Sequence, residues 1–243
     1  MKKTAAFFDI DGTIYRDSLM TEHFRKLVQY EVIDNTIWMS DVKKVYDEWE
    51  KRHGDYEEYL ETIAEVYRSQ LKGVDRDFIC YIADHVIKDK SDNIYKYSRY
   101  KINWHKEREH LIFFISGSPD FLVSRMARRY DVTDYRGSIY VVNEDNQLTG
   151  EIKRMWDSES KTKALKELIE LYDVDLNKSF AYGDTKGDLS MLKMVGNPIA
   201  INPNMALLKA IKLDEKLIEC AKIVVERKNV IYSLDPSVNY LEI

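Results

Sequence analysis

Apolar residues gather in short continuous runs at the start and over the second half of the chain, with helical spacing between them. Ala5-Ala6-Phe7-Phe8 is the first run, and Leu111-Ile112-Phe113-Phe114-Ile115 reads as a second buried strand ahead of a helix over about 120–130. Residues 138–143 and 147–152 flank Glu144-Asp145-Asn146, a hairpin signal. A helix over 159–172 places Ala164, Leu165, Leu168, Ile169 and Tyr172 on one face. A strand at 179–182, a short helix at 189–194 and strands near 199–201 and 223–225 continue the alternation. Near-continuous apolar strands alternating with helices predict a doubly wound, mostly parallel α/β sheet covered on both faces.

Residues 17–108 follow a different pattern. Gly54 and Gly73 are the only glycines between Gly12 and Gly117, and no proline precedes Pro119. Phe24, Leu27 and Val28, then Leu60, Ile63, Ala64 and Tyr67, repeat at helical spacing. Four or five helices are expected, broken near Asn35, Gly54, Gly73 and 89–92. An all-helical block between the first strand and the rest reads as an insertion. Its ends must return to one sheet edge, which hangs it over the strand ends where open α/β sheets bind ligands. The expected division is a core of residues 1–16 and 109–243 with an inserted helical cap of 17–108.

Composition narrows the partners. The 243 residues can bury a sizeable core, and a net charge of −5 disfavours nucleic acid or an anionic membrane as partner. Cys80 and Cys220 lie far apart in no ligand spacing, as in a reducing compartment. The start of the chain is cut short as a signal-like segment by Asp9 and Asp11, and no run approaches a membrane span. A cytoplasmic protein is expected.

The chemistry gathers where predicted strands end. Asp9-Ile10-Asp11-Gly12-Thr13 sets two carboxylates at the end of the first strand, a like-charge pair that calls for a cation, a shared proton or both. A capped surface turn explains the same residues equally well. Strand 111–115 runs into Ser116-Gly117-Ser118-Pro119, where Pro119 suits a first helical position with Ser118 as cap. Such a helix start is also an anion site. Strand 179–182 runs into Gly183-Asp184-Thr185-Lys186-Gly187-Asp188. If that turn is helical, Asp184 and Asp188 share a face and suit a hard cation such as Mg²⁺, though a capping Asp184 with a solvated Asp188 reads as well. Lys161, unremarkable alone, starts the helix 159–172. Together these groups suit a phosphate monoester, whose charge needs a metal and a lysine beside so many carboxylates.

Asp9-Ile10-Asp11-Gly12-Thr13, Ser116-Gly117-Ser118, Lys161, and Gly183-Asp184 with Asp188 resemble, in order, the four motifs of the haloacid dehalogenase superfamily. The helical insertion, Leu148-Thr149-Gly150-Glu151 and the placing of Lys161 resemble its phosphoserine-phosphatase-like branch. The resemblance implies a Mg²⁺-dependent phosphatase acting on a small phosphorylated metabolite. Asp9 would attack phosphorus, and Asp11 would serve as general acid and then base. The Asp9 carboxylate, the Asp11 carbonyl and Asp184 would bind Mg²⁺, with Asp188 ligating or orienting metal-bound water. Ser116, the Gly117 amide and Lys161 would hold the phosphoryl oxygens. Phosphoserine phosphatases carry Glu nine residues after the nucleophile; here that position is Ser18, or Asp17 if the loop slips by one. Gly187 stands where their metal loop usually has Asn. These departures speak against phosphoserine as substrate. A phosphotransferase or phosphomutase is the alternative, and a non-catalytic ligand-binding protein a more distant one.

In the cap, nine tyrosines with Arg52, His53, Arg99 and Lys101 either line a polar pocket or, as favoured, pack helices and face water. His105 and His110, five apart, suggest no metal pair and receive no role.

Overall fold

A computed structural model describes residues 2–51, 53–54 and 56–241, with only the backbone of Tyr56 and Glu57. Arg52, named above as a pocket candidate, lies outside the described residues. Among the described residues, eight strands form one sheet: β1 (Ala5–Phe8), β2 (Leu111–Pro119), β3 (Asp134–Val142), β4 (Leu148–Lys153), β5 (Phe180–Gly183), β6 (Asn197–Ile201), β7 (Lys222–Arg227) and β8 (Val230–Leu234). Their order is β4-β3-β2-β1-β5-β6-β7-β8. β1 pairs in parallel with both β2 and β5, and only β4 and β8 run antiparallel to their neighbours. The chain winds outward from β1 in one direction and then the other, so the switch point lies at the carboxyl ends of β1, β2 and β5. That crevice is where such sheets take ligands.

Side-chain alternation along β1 separates two cores. Ala5 and Phe7 join the core under α8 (Ser158–Tyr172), α9 (Leu189–Met194), α10 (Met205–Leu213) and α11 (Leu217–Cys220), while Ala6 and Phe8 face the other way. Phe7 stacks on Phe113 on one face, and Phe8 on Tyr182 on the other. Ala164, Leu165 and Leu168 are buried as their spacing predicts. The second face carries α1 (Leu19–Gln29), α2 (Asn35–Ile37), α3 (Lys43–Glu50), α4 (Tyr56–Gln70), α5 (Arg76–Lys90), α6 (Lys96–Lys106) and α7 (Asp120–Arg129). A π-helical turn, Trp38–Val42, joins α2 to α3. The inserted block thus holds six helices among the described residues, one of them a single turn. Its apolar side chains form one continuous core with the sheet face. Among the described residues, no helix is long and apolar enough to cross a membrane.

Three local readings change. Ser118 does not cap α7: Pro119 occupies the cap position with no side-chain cap bond, and the Ser118 hydroxyl is engaged elsewhere. β3 starts four residues before the expected strand, because its first half pairs in parallel with β2 before turning to β4. The edge strand β8 and helices α10 and α11 were not anticipated. β8 carries the apolar run Val230-Ile231-Tyr232, but as an edge strand it is almost wholly exposed and adds nothing to the buried core.

Two histidines are buried among the helices. His23 accepts the Tyr67 hydroxyl at Nδ1 (2.6 Å), so Nε2–H donates to the Ile79 carbonyl (3.1 Å). His105, in α6, lies on the sheet with its ring edge-on to Phe8, bonded to the Tyr182 hydroxyl (2.8 Å) and to His110 Nδ1 (2.9 Å). Two ring nitrogens at that distance share one proton. Burial lowers the pKa of His23 to about 4 and of His105 to about 3. The folded state therefore binds fewer protons than the unfolded chain between pH 6.5 and these values, and stability falls as pH falls through that window. For His23 alone the loss is roughly 3 kcal/mol between pH 7 and pH 4. Urea unfolding at pH 7, 5.5 and 4.5 measures it, and His23→Gln should flatten the profile. An unchanged slope in that variant would refute the assignment.

Candidate active site

The apolar run of β1 delivers Asp9 to the crevice and the chain turns at once, because the amides of Ile14 and Tyr15 both bond back to the Ile10 carbonyl. Gly12 makes the turn possible. Its φ is +78°, and a Cβ there would come within 2.0 Å of Asp184 Oδ2. Absence of a side chain thus lets the β1 loop and the β5 loop touch. At the end of β5 Gly183 is equally constrained: a Cβ would lie 2.3 Å from Asp188 Cβ. A 3₁₀ turn at Lys186–Asp188 follows, and then the short helix expected at 189–194, α9.

Lys161 is the hub. Its Nζ lies 2.7 Å from Asp9 Oδ1 and 2.5 Å from Asp188 Oδ1, with only 3% of the residue exposed. Lys163 and Lys166 are exposed, as expected of a helix face. Burial alone would discharge Lys161, but Asp188 and Asp9 outweigh it and hold its pKa above the normal lysine value. Asp9, Asp184 and Asp188 each bring an oxygen within 4.8 Å of the others. Three carboxylates and one ammonium leave a formal charge of −2. Burial drives Asp184 strongly upward, reinforced by Asp188 and Asp9, and its hydrogen bond is from the Thr13 hydroxyl at 2.9 Å. Burial likewise raises Asp9, against the pull of Lys161. This donor set of hard oxygens with a twofold charge deficit fits a divalent cation. Asp188 is the carboxylate least free to ligate one. Its Oδ1 is held by Lys161, and Oδ2 accepts the amides of Asp184 and Thr185 and the Thr185 hydroxyl. It is wholly buried, which excludes the solvated reading.

Asp11 stands apart from the cluster. Oδ2 accepts the Ser118 hydroxyl (2.5 Å) and Oδ1 the amide of Leu19 (2.8 Å), the first residue of α1. Burial, opposed by these bonds, raises its pKa to about 6. Ser116 Oγ accepts the Ser118 amide at 3.1 Å, which leaves its own proton to donate. Gly117 packs against Trp156, whose Cβ a side chain at 117 would meet at 2.7 Å. Each sequence-predicted residue therefore stands at this strand edge. Sequence reasoning missed Thr13 and Ser118 as partners of Asp184 and Asp11; both lie inside the quoted motifs, but no spacing rule couples them across the sheet. Ser18 is consumed as the α1 cap, and Asp17 is the carboxylate whose charge reaches Asp11. Gly187 is explained too, since a Cβ would lie 2.6 Å from the Trp156 carbonyl oxygen.

Among the helical-block candidates, Arg99 bonds the Asp92 carbonyl, Lys101 lies over Trp104, and the side chain of His53 is 70% exposed. Tyr59 and Tyr67 do not face water: their hydroxyls reach Thr21 and His23 inside the core.

A doubly wound sheet with an acidic, lysine-bridged site at its switch point defines an α/β protein with a ligand site at the carboxyl ends of its strands. Residues 6–193 match the haloacid dehalogenase-like hydrolase family, and the chain belongs to it. It is 24% identical over 217 residues to an "Inhibition of morphological differentiation protein" of Streptomyces azureus, covering 85% of this chain and 74% of that one. It is 23% identical over 219 residues to a histidinol-phosphatase of Neisseria meningitidis serogroup C (strain 8013), covering 86% and 95%. A substrate-bound phosphoserine phosphatase shares the fold with a TM-score of 0.62 at 19% identity, over 91% of this chain and 93% of that one.

Proposed function

We propose that the protein is a Mg²⁺-dependent phosphomonoester hydrolase acting on a small phosphorylated metabolite through a phosphoaspartyl intermediate. The observation that carries this is Lys161 bridging Asp9 and Asp188, with Asp184 completing a cluster two charges short of neutrality. The activity in the name of the Neisseria relative supports a phosphate ester as substrate. An Asp9 oxygen attacks phosphorus and the ester P–O bond breaks. Asp11 gives its proton to the departing oxygen, then takes one from the water that attacks phosphorus and releases phosphate from Asp9. Ser116, the Gly117 amide and Lys161 hold the phosphoryl oxygens. Asp9, Asp184 and the Asp11 carbonyl would hold Mg²⁺, which supplies the positive charge that lets a phosphate approach. Asp188, with both oxygens engaged, orients Lys161 and the loop rather than ligating directly.

The proposal includes a cap of residues 17–108 over a core of 1–16 and 109–243, with α6 laid on the sheet at the junction. Closure of that cap would exclude water during transfer and readmit it for hydrolysis. With Ser18 spent as a helix cap, phosphoserine is disfavoured as substrate. A cytoplasmic setting, with Cys80 and Cys220 as free thiols, belongs to the same proposal.

The test is phosphate release from a panel of phosphorylated metabolites. Chelation with EDTA is expected to abolish it, and added Mg²⁺ to restore it. Activity that survives exhaustive chelation would contradict the metal site. Phosphate appearing on an added alcohol, with none free, would identify a phosphotransferase instead.

A further inference from the structure

The turn proposed to bind phosphate is a bulge. β2 pairs with β3 at Ile115↔Arg136 and next at Pro119↔Ser138, so four steps along β2 match two along β3. Ser116, Gly117 and Ser118 arch out of the ladder between these points. A bulge re-aims its residues toward a site but takes away their strand partners.

Ser138 closes that gap. Wholly buried on β3, its hydroxyl donates to the Gly117 carbonyl at 2.7 Å and accepts the Met155 amide at 3.1 Å. Met155 stands two residues before Asp157, the residue that caps α8 and so launches the helix carrying Lys161. The next residue, Trp156, presses its Cβ on Gly117 and its carbonyl on Gly187. One hydroxyl therefore joins the bulge of β2 to the entry of α8, the two segments that supply Ser116, Gly117 and Lys161.

We propose, on the basis of the phosphatase function above, that Ser138 is a positioning residue holding the two arms of the phosphate clamp in register. It acts through Gly117 and Met155, not at phosphorus. Without it the half-buried Gly117 carbonyl and Met155 amide lose their partner together, and the bulge is free to shift against Lys161. Misplacement of a clamp by an ångström costs up to about 100-fold in rate.

The experiment compares wild type, Ser138→Ala and Ser138→Thr, using an aryl phosphate as substrate and inorganic phosphate as competitive inhibitor with Mg²⁺ present. Ser138→Ala should lose about 10- to 100-fold in kcat/KM, with a parallel rise in the Ki for phosphate. Ser138→Thr, which keeps the hydroxyl, should recover most of both. A purely structural role would lower the melting temperature and the active fraction but leave Ki unchanged, because Ki does not depend on how much enzyme is folded. A folded Ser138→Ala protein with wild-type Ki and kcat/KM overturns the proposal. If that variant does not fold, Ser138→Cys decides: a raised Ki supports the clamp and a wild-type Ki overturns it. Calorimetric binding of inorganic phosphate separates this from the function itself. A wild-type protein that releases no phosphate but binds it in a Ser138-dependent way refutes the hydrolase and keeps the clamp.

Discussion

Asp9→Asn is expected to abolish hydrolysis of an aryl phosphate while leaving the fold intact. The substitution keeps shape and volume but removes the oxygen that attacks phosphorus. Loss of a covalent nucleophile costs on the order of 10⁴-fold or more in kcat. The fold should tolerate it, because Lys161 retains Asp188 and the Asn carbonyl oxygen can still accept from Nζ. Asp9 is also 5% exposed and carries a charge that burial disfavours. Neutralising it relaxes a like-charge contact with Asp184, so the metal-free melting temperature should hold or rise. Divalent-cation affinity should weaken, since the cluster falls from a formal −2 to −1. Wild-type turnover in a cation-loaded Asp9→Asn protein would refute the assignment of the nucleophile.

Lys161→Met should damage stability and activity together, and the two losses should respond differently to Mg²⁺. Methionine matches the stem of lysine but leaves Asp9 and Asp188 buried without their cation. Removing one partner of a buried ion pair costs about 3–5 kcal/mol, because the remaining charge is stranded. A cation bound by the cluster offsets part of that, by about 2.7 kcal/mol at a concentration 100 times its Kd. Melting should therefore show a larger Mg²⁺-dependent rise in the variant than in wild type. Activity should stay roughly 10²- to 10³-fold down even at saturating Mg²⁺, since the donor to the transferring phosphoryl group is gone. An active variant under saturating Mg²⁺ would show that Lys161 serves the fold alone.

Much of the site was legible because it is written in short segments. Asp9 and Asp11, Ser116 and Gly117, and Asp184 and Asp188 each follow an apolar run, and a run that ends in polar residues at a sheet edge marks where a ligand can sit. Lys161 was visible only in company, since one buried lysine among three on a charged helix has no local mark. Ser138 shows the limit. It is an ordinary serine inside a strand, and its role appears only when the bulge in β2 brings the Gly117 carbonyl to it. His105 is similar: it sits between Trp104 and Lys106 with no local mark of a buried role, and its burial comes from Phe8 and Tyr182 beneath α6.

The sequence by itself determined the alternation of strands and helices, the helical insertion and the residue types that meet at the crevice. These follow from apolar periodicity and from motifs a few residues long, which are local properties of the chain. The tertiary structure decided which groups pair. Ser118 turns from a helix cap to a partner of Asp11, Asp188 spends its oxygens on Lys161 and its own turn, and α6 lies on the sheet. Those choices depend on distances between segments up to 107 residues apart, and only packing of the whole chain sets them.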